Sequence, residues 1–131
     1  MKVSFKSIWA VALILLVSLS ACKKDDKVNT LSCNLETAAT EFSEDSIFVT
    51  YKLESTGDAK VTSFFYYDET GKVEVQNPTL PTVIQVNLTY QKTMQAGAKG
   101  NTSNGSIKAS FKATAPGASY ESSDYCSQSN S

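Results

Sequence analysis

The chain has no histidine and no arginine, and each absence removes a kind of chemistry. Without histidine, the commonest general base and the commonest metal ligand are both missing. Without arginine, there is no planar fork to grip a phosphate or carboxylate at two points. The single tryptophan, Trp9, sits in an N-terminal segment with the pattern of a cleaved leader. A sugar-stacking platform would then have to use tyrosine. Serine and threonine are abundant, but no Gly-x-Ser-x-Gly elbow is present to activate one. The expectation is a protein that is not an enzyme and carries no cofactor.

The residues that are present say most at the N-terminus. Lys2 and Lys6 precede an apolar run from Ile8 to Leu19, which small residues close. That is the layout of a secretory signal. As a transmembrane anchor the run would fall short of the roughly 20 apolar residues a bilayer requires, and Lys23, Lys24, Asp25 and Asp26 stop it abruptly.

Leu19-Ser20-Ala21-Cys22 resembles a bacterial lipobox, the site cut by the lipoprotein signal peptidase. The resemblance implies that residues 1–21 are removed and that Cys22 becomes the first residue, thioether-linked to diacylglycerol. Two or three acyl chains would hold the protein firmly on a membrane, which makes the membrane its first partner. The alternative is an ordinary cleaved signal followed by an unrelated cysteine. Cys22-Lys23-Lys24-Asp25-Asp26-Lys27 in turn resembles the signature after the acylated cysteine in Bacteroidota lipoproteins carried to the cell surface. It is also a solvated, charged tether in its own right. The expected address is therefore the outer membrane, on the cell surface or otherwise on the periplasmic face.

Cleavage after Ala21 would leave 110 of the 131 residues, enough for one core. Ten of the 12 lysines would remain against 13 acids. Nucleic acid is a poor partner for such a net negative chain. Beyond Cys22 there are two cysteines, Cys33 and Cys126. In an exported protein, two thiols read as one disulfide, here tying the first strand to the C-terminal tail. The alternative is two unrelated small buried residues.

After a tether over residues 22–30, apolar residues recur with period two, the mark of half-buried strands. Leu31, Cys33 and Leu35 alternate with polar residues, as do Ile47, Val49, Tyr51 and Leu53. Ile84, Val86, Leu88 and Tyr90 repeat the pattern, as do Ile107, Ala109, Phe111 and Ala113. Val61 to Tyr67 is a strand with aromatic residues on both faces. Asp68-Glu69-Thr70-Gly71 reads as a hairpin turn into Val73 and Val75. Asn77 to Pro81 breaks the ladder and should carry the chain to a second sheet. Gln95 to Gly105 reads as loose, Tyr120 to Cys126 as a short edge strand, and the tail from Ser127 as frayed. Residues 35–45 also admit a short helix.

Some seven strands in 31–131 predict an all-β Greek-key sandwich. Thr50-Tyr51-Lys52, Phe64 to Tyr67 before Gly71, Leu80-Pro81 and Gly105-Ser106-Ile107-Lys108 resemble small immunoglobulin-like lipoproteins of Bacteroidota. They are similar also to the small accessory membrane proteins that partner mycobacterial lipid exporters. These are turn and core residues over about 46–115, so the resemblance implies a fold and little about activity.

Alternation predicts an exposed aromatic row of Phe64 and Tyr66, joined by Phe48, as an interaction surface. A packing ladder or a face covered on both sides is the bland reading. The acidic pairs Glu44-Asp45 and Asp68-Glu69 lack the spacing of a calcium loop, so no metal is expected. Asp45-Ser46-Ile47 matches the pattern Bacteroidota use for O-glycosylation, which makes Ser46 a candidate. Asn87-Leu88-Thr89 fits an N-glycan pattern, but Asn87 falls inside a strand. The expected function is a non-catalytic module for a protein or glycan at the envelope. The alternative is a structural or accessory subunit of an outer-membrane transport or secretion complex.

Overall fold

A computed structural model describes residues 29–130. The leader 1–21, Cys22 and Lys23 to Asp26 lie outside the described residues. Within them the chain is all-β, with ten strands and no helix. In order they are β1 (Leu31–Glu36), β2 (Thr40–Glu41), β3 (Ile47–Gly57), β4 (Lys60–Asp68) and β5 (Gly71–Gln76), then β6 (Thr82–Leu88), β7 (Thr93–Met94), β8 (Ala96–Thr102), β9 (Gly105–Ala115) and β10 (Ala118–Gln128). Two four-stranded antiparallel sheets, β1-β8-β4-β5 and β10-β9-β3-β6, face each other across one core. The two-residue strands β2 and β7 pair with each other.

Alternation works as expected in the two longest central partners. Ile47, Val49, Tyr51 and Leu53 of β3 are buried, and so are Ile107, Ala109, Phe111 and Ala113 of β9. Opposite them the first sheet contributes Leu35, Phe64, Ala96 and Ala98. Each large side chain buried this way contributes about 1.5–3 kcal/mol. The buried hydroxyls are matched too: Thr37 Oγ1 accepts from the Ala96 N–H at 3.0 Å, and Thr102 Oγ1 donates to Asp58 Oδ1 at 2.9 Å.

Cys33 of β1 and Cys126 of β10 are bonded, with Cα atoms 6.1 Å apart. The bond ties one sheet to the other. Beside it the Glu36 N–H donates to Asp124 Oδ2 and the Ala38 N–H to Ser122 Oγ, each at 3.0 Å. One lateral side of the sandwich is thus closed by side chains of β10.

Several expectations are corrected. Residues 35–45 hold the end of β1 and the short β2 rather than a helix. Tyr90 lies beyond the end of β6. Tyr120 to Cys126 belongs to an 11-residue strand, and Asn130 is held by the Ser103 carbonyl and by Asn29 rather than frayed. The largest departure is Gln95 to Gly105, which contains β8, an inner strand of its sheet. Glycine there serves close approach rather than looseness. A Cβ on Gly97 would run into the Phe65 ring and the Leu35 carbonyl. The linker Asn77 to Pro81 does carry the chain from one sheet to the other, and its Leu80–Pro81 peptide is cis.

A candidate interaction face

The aromatic row expected from alternation is on the wrong side. Phe64 is 1 % exposed, and Tyr66 packs against the core. The cause is a bulge: Val61 pairs with Gly100 and Ser63 with Lys99, so Thr62 has no opposite number in β8. An extra residue reverses the alternation, and Val61 and Phe64 come to face the same way. Thr62 is held there by its own bonds, Oγ1 to the Lys99 carbonyl at 3.1 Å and its carbonyl to the Asn77 N–H at 2.8 Å. Phe65 and Tyr67 occupy the outer face instead, half-buried and edge-on at 6.3 Å, with Lys72 Nζ 4.3 Å from the Phe65 ring centre. A cation over that ring and a glycine beneath it leave little of it free for a partner.

Phe48 is exposed, at 42 %, but on the other sheet. The register of β6, β3, β9 and β10 places outward residues in rows across that sheet. One row is Asn87, Phe48, Thr114 and Ser119; the next is Gln85, Thr50, Lys112 and Glu121. Then come Val83, Lys52, Ser110 and Ser123, followed by Glu54, Lys108 and Tyr125. The outer face is therefore a field of hydroxyls and amides with three lysines and two glutamates, bordered by Phe48, Val83 and Tyr125. Tyr125 is 67 % exposed. Lys52, Lys108, Ser110, Lys112, Glu121 and Ser123 line an open depression of about 480 Å³ on it. Lys112 and Glu121 lie 3.6 Å apart with both side chains mostly in water; such a pair contributes little.

Of this face, the sequence offered only Phe48 as an interaction residue. Lys52 lies on β3, Lys108 and Lys112 on β9 and Tyr125 on β10, and the length of β10 was not legible, so their convergence was not either. Ser46 is exposed directly before β3, in irregular backbone. Asn87 is exposed within β6.

Three other acidic residues, Asp58, Asp68 and Glu69, are engaged elsewhere. Asp68 Oδ1 accepts from the Thr70 hydroxyl at 2.6 Å and the Thr70 N–H at 2.8 Å, which holds its carboxyl below the usual range. The Glu69 carboxylate turns instead to the hydroxyl and N–H of Thr89, with the same effect. Asp58 Oδ1 takes the N–H groups of Asn104 and Ser103 and the Thr102 hydroxyl, which lower its pKa in that order. Each carboxylate fastens a turn. No group of three His, Cys, Asp or Glu converges among the described residues.

No family model matches this chain, and no curated protein matches it in sequence.

Proposed function

We propose that the protein is a lipoprotein held in the outer membrane by acyl chains on Cys22, and that its sandwich is a non-catalytic binding module for a protein or glycan at the cell surface. The observation that carries this reading is the matching of cysteines. Cys33 and Cys126 take each other, which leaves Cys22, directly behind Leu19-Ser20-Ala21, free for a lipid. A disulfide also suits an exported protein.

Topology supports the choice of binding face. The tether enters β1, which belongs to the sheet opposite β10-β9-β3-β6. From Cys22 to residue 28 the chain can reach at most roughly 25 Å. With the β1 layer toward the membrane, the face bearing Phe48, Lys112 and Tyr125 looks outward. Hydroxyls, amides and lysines beside exposed aromatic rings suit hydrogen bonding and stacking with a sugar or a polar protein surface.

We assign the sandwich to an immunoglobulin-like Greek key on its interlock. β3 and β6 pair in one sheet, β4 and β8 in the other, and β5 extends the second. The strands that flank these pairs, β1 beside β8 and β9 beside β3, stand on the sheets opposite to those an immunoglobulin domain would use.

The test is protease access to tagged full-length protein, on intact and on lysed cells. Digestion on intact cells is expected; protection until lysis would overturn surface display. Cys22→Ala should move the protein out of the membrane fraction, and continued association would overturn the lipid anchor. A photoreactive side chain at Phe48 should give a discrete adduct, whereas one at buried-side Tyr120 should give none.

A further inference from the structure

Four strands form the edges of the two sheets: β1, β5, β6 and β10. An edge strand offers unpaired N–H and C=O groups, and proteins guard such edges with charge, proline, bulges or a cover. Here β1 is closed off by β10 through the Cys33–Cys126 bond and the Asp124 and Ser122 acceptors. β5 carries Lys72 and Glu74, and β10 carries Glu121 and Asp124. β6 is different. Thr82-Val83-Ile84-Gln85-Val86-Asn87-Leu88 has no charge, no proline and no glycine, a composition that favours strand pairing. Val83 is 58 % exposed, Gln85 and Asn87 are exposed, and core-facing Ile84 and Val86 are only half-buried. Among the described residues, no backbone bond outside the sheet reaches Val83 to Asn87.

We propose that β6 is a homodimer interface, in which two copies pair antiparallel about a two-fold axis at Gln85. The β10-β9-β3-β6 sheets of both copies then form one continuous sheet. Self-pairing is favoured over a foreign strand by the uncharged, near-palindromic centre Ile84-Gln85-Val86. A two-fold axis sets each residue against a fixed partner: Gln85 meets Gln85, Ile84 meets Val86, and Val83 meets Asn87. Any charge at the centre would meet its own kind, which destabilises a cross-strand pair; this strand has none. Two amides at the axis can hydrogen-bond to each other, and the half-buried Ile84 and Val86 gain cover. The axis runs perpendicular to the sheet. Both β1 layers, and both tethers, therefore lie on one side, and both outer faces with Phe48 and Tyr125 lie on the other. The pairing does not depend on the lipid anchor or on any ligand.

The experiment is cysteine cross-linking of the full-length chain in its native membranes, with the parent chain oxidised alongside as the baseline. Gln85→Cys should form a covalent dimer above that baseline, because directly opposed residues have Cβ atoms about 5 Å apart. Val83→Cys alone and Asn87→Cys alone should not, since like positions stand roughly 13 Å apart in this register. Co-expression of those two variants should restore the dimer. Gln85→Lys, at an exposed position, should leave the far-UV circular dichroism unchanged and abolish the non-covalent dimer in sedimentation. No dimer from Gln85→Cys, self-linking of Val83→Cys to the same extent, or a dimer that survives Gln85→Lys would each overturn the proposal.

Discussion

The Tyr51 hydroxyl, at the centre of the core, donates a 2.7 Å hydrogen bond to the Tyr67 carbonyl on the opposite sheet. Tyr51 is fully buried, with its ring 5.4 Å from that of Tyr66 and 5.8 Å from that of Phe111. This bond spans the interior between β3 and β4. Burial pushes the Tyr51 pKa up to about 12, against the lesser opposing pull of the bond to Tyr67.

Tyr51→Phe keeps the ring packing and removes the donor, leaving the Tyr67 carbonyl short of a partner. The expected loss is about 1–3 kcal/mol, read as a lower urea midpoint with an unchanged slope. The pH dependence carries a second signature. A folded-state pKa above the unfolded value of 10 means that the folded state holds the proton more tightly. The Tyr51 contribution is then intact below pH 10 and lost as the pH rises toward 12. Tyr51→Phe should flatten that alkaline fall relative to the parent chain.

The Cys33–Cys126 bond closes a loop with a sequence separation of 93. In the chain-entropy model a loop of that size contributes about 4–5 kcal/mol, acting on the unfolded state. Reduction, or the double change of Cys33 and Cys126 to Ser, should lower the denaturant midpoint by a corresponding amount. It should also speed amide exchange first at Glu36 and Ala38, whose N–H groups lean on β10.

Gly97→Ala tests whether β8 is an inner strand. In a loose loop an alanine would be neutral or mildly stabilising. Against the Phe65 ring and the Leu35 carbonyl it must push one of them aside, at a cost of about 1–3 kcal/mol. Thermal unfolding distinguishes the two outcomes, and Lys72 should lose its seat over Phe65 as that ring shifts.

Where apolar residues alternate without interruption, β3, β6 and β9 were legible, because a period of two needs only one buried face. The Asp68 to Gly71 hairpin and the crossing at Asn77 to Pro81 were legible from turn chemistry. β8 was not. Ala96-Gly97-Ala98 has little side chain to show a period, and those residues are buried because the neighbouring backbones and the Phe65 ring come close. The side of the sheet on which Phe64 falls was not legible either. One bulge at Thr62 reverses it, and that bulge depends on Lys99 and Asn77, residues remote in sequence.

The sequence alone determined the all-β class and the position of most strands, and it offered the two cysteines beyond Cys22 as a pair, since periodicity, turn residues and cysteine number are local or countable. Only the tertiary structure decided which aromatic residues are covered, which strands are inner and which outer, and that Lys52, Lys108 and Lys112 share one face with Phe48 and Tyr125. Those outcomes depend on register between strands distant in the chain. Register is set by the collective fit of both sheets across the core rather than by any segment's own residues.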